Sequence, residues 1–111
     1  AWGCAIDAGK IREYHDVVYA NQPKEEGAGY TDEQLIGFAD QAGITGAAKD
    51  AFTTCVNDGT YRVWSANSYQ SFLSSGVQGT PYAELDGEQV AVEILADPAK
   101  LEETVAKASG K

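Results

Sequence analysis

A chain of 111 residues with 17 acidic and 8 basic side chains carries a net charge of −9 and an isoelectric point near 4.3. Such a surface repels phosphate backbones and anionic lipids over a Debye length, which argues against nucleic acid as a partner. With 43% hydrophobic residues and 3 Pro, the composition is that of one small folded domain. No apolar run approaches the roughly 20 residues of a membrane span, so no membrane insertion is expected, and no charged-then-apolar leader opens the chain. The sequence holds no Met and starts at Ala1, so the natural start of translation is expected to lie elsewhere.

Ala1 to Gly9 reads as the tail of a helix, with Trp2 and Ile6 on one face and Gly9 ending the turn. From Lys10, the residues Ile11, Tyr14 and Val18, with His15 beside them, recur at helical spacing, and the helix runs to about Asn21 before Pro23 stops it. Lys24 to Tyr30 is a polar loop and the candidate mobile stretch. Thr31-Asp32-Glu33-Gln34 is a capping box, so a helix begins at Asp32. Leu35, Phe38, Ala39 and Ala42 form its buried stripe; Gly43 ends it, and Ile44 supplies the hydrophobic contact of a glycine cap. Thr45 caps the next helix, whose inner face is Ala48, Phe52, Cys55 and Val56.

Asn57-Asp58-Gly59 is read as a turn. Thr60 to Ser75 is then a long helix with Trp64, Ser68 and Phe72 along one side and Tyr61 and Leu73 flanking. Gly76 delivers the chain to the loop Val77-Gln78-Gly79-Thr80-Pro81. Proline lacks the N–H of a ladder residue, so Pro81 belongs at a strand's start or edge, and its peptide bond is open to either isomer on the residues alone. Tyr82 to Leu85 pairs across Asp86-Gly87 with Gln89 to Ile94, where Val90, Val92 and Ile94 alternate. Asp97 caps a last helix with Pro98 at its first position and Leu101, Val105 and Ala108 as its stripe.

Few residues offer chemistry. Cys4 and Cys55 lie too far apart in sequence for a Cys-x-x-Cys redox pair, which leaves two free thiols or one long-range disulfide. The single histidine, His15, has no nucleophile or carboxylate tied to it, and with two cysteines it falls short of a zinc site; it reads as a core histidine bonded to backbone. No metal or cofactor is expected. Glu25-Glu26 and Glu102-Glu103 read as solvated carboxylates, and the glycine-bearing loops lack the P-loop lysine. The aromatic residues Trp2, Tyr61, Trp64 and Phe72 read as core.

Val77 to Pro81, followed by a strand, Asp86-Gly87, a second strand and a helix, resembles the cis-proline loop and C-terminal end of DsbA-like thioredoxin-fold oxidoreductases of the actinobacterial type. Glu13-Tyr14-His15-Asp16, Tyr19 to Pro23, Tyr30 to Leu35 and Phe52-Thr53-Thr54-Cys55 are similar to the helical segment inserted in that family's fold. The resemblance implies an α/β, thioredoxin-like C-terminal portion: residues 1–76 as helical insertion, 77–111 as a ββα end, together one compact unit. The family's Cys-x-x-Cys would lie upstream of Ala1, so the chain has no catalytic residue of its own and is expected to be inactive alone. By the same resemblance Cys4 and Cys55 form a second, structural disulfide, Gly79, Thr80 and Pro81 dock extended or unfolded polypeptide substrates, and the protein is exported, secreted or cell-envelope associated. Truncated in this way, the hairpin would recruit the missing N-terminal segment or a second copy of the chain, in a swapped or edge-paired dimer. The alternative is a non-catalytic peptide- or partner-binding module using the Thr80-Pro81 loop and hairpin edge; a purely structural disulfide-stapled domain is a third reading.

Overall fold

Helix starts and stops fall where short-range chemistry sets them. The computed structural model describes residues 1–110, and among these the chain is mostly helical, with seven helices and one two-stranded antiparallel sheet. Contacts divide it into two units, Ala1–Tyr69 and Gln70–Lys111, with the boundary inside a helix.

The first unit holds α1 (Trp2–Asp7), α2 (Ile11–Ala20), α3 (Asp32–Gln41), α4 (Gly46–Asp58) and the start of α5 (Arg62–Ser74). At α3 the capping box is complete: the Gln34 N–H donates to Thr31 Oγ1 at 3.1 Å, and the Thr31 N–H donates to Gln34 Oε1 at 2.9 Å. The helix ends at Gly43, whose φ of +83° no β-carbon opposes, and the Ile44 N–H then returns to the Ala39 carbonyl at 2.9 Å. That turn carries the Ile44 side chain into the core, where it is fully buried. Around it, α1 packs on α2 and α4, α2 on α3, and α3 on α4. Tyr14, Phe52 and Ile44 are the largest fully buried side chains, joined by Cys4, Val18, Phe38 and Val56.

Several expectations for this unit need correction. Thr45 stands at the N-cap of α4, yet its side chain accepts no cap hydrogen bond. Asn57 and Asp58 are helical, and the left-handed cap is Gly59 alone. His15 is exposed, with Nδ1 3.2 Å from Asp16 Oδ1, because the core face of α2 is filled by Tyr14 and Val18, leaving position 15 outside. Trp2 and Trp64 are not core either: they are 40% and 61% exposed, Ala48 on the predicted inner face of α4 is also exposed, and α5 has no buried residue. Val63, Trp64, Tyr69, Phe72 and Leu73 point in directions spread round that helix, so no single face collects them.

The second unit, from the end of α5, holds β1 (Ala83–Leu85), β2 (Glu88–Val90), α6 (Val92–Leu95) and α7 (Pro98–Ala108). The strands pair in the register Ala83 with Val90, Glu84 with Gln89 and Leu85 with Glu88. Asp86 and Gly87 make the turn with φ of +52° and +84°, both positive as a two-residue hairpin requires. The second strand is shorter than its alternation predicts. Ala91 becomes an N-cap and Val92 to Leu95 coil into α6, with the Leu95 N–H donating to the Ala91 carbonyl at 3.2 Å. α7 begins as expected, Asp97 accepting from the N–H groups of Ala99 and Lys100, although Val105 remains exposed. Among the described residues of this unit only Val90 is buried.

Candidate functional site

The end of α5 sets the shape of the loop that follows it. The Ser75 hydroxyl donates to the Phe72 carbonyl at 2.6 Å and accepts from the Val77 N–H at 3.2 Å, so one side chain closes the helix and starts the loop. Gly76 reverses the chain with φ of +81°. Gln78, Gly79, Thr80 and Pro81 are then all exposed, and the Thr80–Pro81 peptide bond is cis. Among the described residues no intrachain partner receives the N–H of Gln78, Gly79 or Thr80.

The loop feeds directly into β1. A two-residue turn makes Leu85 and Glu88 the hydrogen-bonded closing pair, so Glu84 opposite Gln89 is a non-hydrogen-bonded pair and the main-chain groups of Glu84 point away from β2. That edge has no neighbouring strand among the described residues. On the same stretch the Tyr82 hydroxyl donates to Glu84 Oε1 at 2.6 Å; this bond, then lost hydration and the carboxylate's charge, raises the phenol above the ordinary tyrosine range. Loop and strand enclose a hollow of about 560 Å³ lined by Ser75 to Tyr82, Glu84 and Gln89. Its lining is exposed main chain with polar side chains and one acidic group, Glu84.

Cys4 and Cys55 are joined in a disulfide with Cα atoms 5.9 Å apart, tying α1 to α4. Neither cysteine is free, so among the described residues no thiol is present to attack another disulfide. A hollow of about 420 Å³ lies beside this bridge, walled by Trp2, Tyr61 and Trp64. Tyr61 is fixed there by a 2.6 Å hydrogen bond to Asp7, which, with lost hydration and the Asp7 charge, raises its phenol above the usual range. Gly3 beneath it leaves no room for a β-carbon, which would overlap the Tyr61 ring.

Sequence reasoning missed a third hollow, of about 430 Å³, where Trp2 meets Tyr19, Tyr30 and the loop after Pro23. These aromatic residues lie on separate segments, and nothing in the sequence joins them: Trp2 reads as core, yet it is 40% exposed. Among the described residues there is no group of three or more His, Cys, Asp or Glu side chains placed to hold a metal, and no helix is long and apolar enough to cross a membrane. In comparisons with protein-family models, curated proteins and solved structures, nothing matches this chain.

Proposed function

We propose that these 111 residues are the substrate-holding part of an exported thiol–disulfide oxidoreductase of the DsbA-like, thioredoxin-fold class. The observation that carries the reading is the run of exposed, unpartnered backbone from Gln78 to Thr80 leading into the open edge of β1. An extended polypeptide laid along it gains main-chain hydrogen bonds without regard to its side chains, as a catalyst acting on many unfolded substrates requires. Gly79, Thr80 and Pro81 contact the substrate in this reading. The dithiol, borne on a segment outside this sequence, exchanges with a substrate cysteine pair through a mixed disulfide, two thiols being oxidised as one disulfide is reduced. The Cys4–Cys55 bridge is structural and fits an oxidising, extracytoplasmic compartment.

The second unit supports a partner segment. With Val90 its one buried side chain among the described residues, and Tyr82, Val92 and Val105 exposed, a two-stranded sheet lacks the apolar cover that makes such sheets stable. We place the dithiol-bearing segment against the exposed apolar side chains of this unit, which leaves the β1 edge to the substrate; a second copy of the chain is the other occupant, and a monomer in sedimentation at high concentration argues against that copy. A peptide-binding module without redox chemistry is favoured by one observation, the lack of a free thiol.

An insulin-reduction assay separates the two. The chain alone is expected to give no turnover, and the chain joined to the Cys-x-x-Cys-bearing segment of a DsbA-like protein is expected to give it. A folded, peptide-binding fusion that remains inactive contradicts the oxidoreductase reading and leaves the binding module.

A further inference from the structure

The hollow beside the loop after α2 combines features unrelated to peptide docking or thiol exchange. Trp2 and Tyr19 are 40% and 56% exposed, although large aromatic side chains normally gain by burial. Tyr19 stacks on the exposed His15 with ring centroids 4.4 Å apart, and Trp2 meets Tyr14 edge to face at 5.7 Å, so neighbours hold both rings in place. Tyr30 stands across the hollow, its hydroxyl donating to the Val18 carbonyl at 3.3 Å and its ring edge-on to Phe38. The three residues are among those lining a space of about 430 Å³.

The electrostatics of this space favour a cation. Glu25 and Glu26 line it, and neither has an ion-pair partner among the described residues. The last turn of α2 contributes Val18 and Tyr19 and carries no basic residue, so the negative end of the helix dipole is uncompensated there. The neighbouring Lys24 is not part of the lining, and the chain as a whole has a net charge of −9. Aromatic faces attract a cation through their quadrupoles.

The hydrogen-bonding inventory then narrows the cation. Three carbonyls near the end of α2 already accept: Val17 from Asn21 Nδ2 at 2.8 Å, Val18 from the Tyr30 hydroxyl at 3.3 Å, and Tyr19 from the Gln22 N–H at 3.4 Å. A primary ammonium brings three strongly hydrated N–H groups, and the aromatic walls offer them no acceptor, which leaves only the loop carboxylates and Gln22 as its partners. A quaternary ammonium has no N–H to satisfy, and its methyl groups pack on the rings. We infer that this hollow binds a quaternary ammonium group, the rings of Trp2, Tyr19 and Tyr30 enclosing the methyl groups and Glu25 and Glu26 balancing the charge.

An NMR titration of the whole chain tests this with choline, with ethanolamine as the primary ammonium and 3,3-dimethylbutan-1-ol as the neutral isostere. Choline is expected to shift the Trp2 indole N–H and the Gly27 and Gly29 amides saturably, with ethanolamine and the alcohol each at least roughly 5-fold weaker. Tyr19→Leu, and separately the double change Glu25→Gln with Glu26→Gln on the exposed loop, each weaken choline binding by about the same factor. A trimethyllysine peptide that binds better than free choline identifies a protein as the source of the group, and the reverse order identifies a small molecule. Equal affinity for choline and either comparison compound, or no saturable shift up to about 50 mM choline, overturns the inference.

Discussion

Tyr14 shows how one residue can carry both packing and a hydrogen bond. Its ring is fully buried against Phe52 and Trp2, and its hydroxyl donates to the Leu35 carbonyl at 2.7 Å, joining α2 to α3. Burial pushes the phenol up to about 12, because the charged phenolate is the form the core disfavours. Since the folded value lies above the ordinary one near 10, the stabilisation is fully present below about pH 10 and is lost as pH rises through 12. Tyr14→Phe is expected to cost about 1 kcal/mol at neutral pH and to flatten the alkaline loss of stability, as read from urea midpoints between pH 8 and 12. At Gly3, where a β-carbon would overlap the Tyr61 ring, Gly3→Ala is expected to destabilise by about 1–3 kcal/mol despite alanine's better helix propensity. A rise in melting temperature for that variant would contradict the packing described.

At the scale of elements, the helix caps differ in a way that mutation can read. Asp97 and Thr31 each accept backbone N–H groups, so replacing either with Ala is expected to cost about 1 kcal/mol; Thr45 makes no such bond, and Thr45→Ala is expected to change stability by less than about 0.5 kcal/mol. Chemical denaturation of the three variants checks the order. These starts were legible in the sequence because a cap is decided by four or five neighbouring residues. The Asp86-Gly87 turn and the Gly43 stop were legible for the same reason. The end of β2 was not: Val90, Val92 and Ile94 alternate as a strand should, but Ala91 and the residues after it also satisfy a helical turn, and local pattern cannot choose between the two. Periodicity likewise says which residues share a face and not whether anything covers it, which is why Trp64 and His15 were read as core and stand exposed. Trp2, Tyr19 and Tyr30 come together through the packing of α1 and of the segment leading into α3 against α2, information that no local stretch contains.

For the whole molecule, the Cys4–Cys55 bridge closes a loop of about 50 residues, which in the chain-entropy model contributes about 4 kcal/mol. That is a large share of the ~5–15 kcal/mol typical of a small domain, so reduction is expected to lower the denaturation midpoint of the first unit markedly. The second unit, by contrast, holds its hairpin with little buried apolar surface and an open edge beside an exposed loop, the arrangement expected of a surface completed by a partner chain. The most direct test of that role is a titration of the isotope-labelled chain with an unfolded, cysteine-free polypeptide, following every backbone amide. Shifts and slowed hydrogen exchange concentrated at Gln78, Gly79, Thr80 and Glu84 are the predicted result. Saturable binding that leaves those four amides unchanged, or no binding at all, would contradict the assignment of this loop and strand edge as the polypeptide-holding surface.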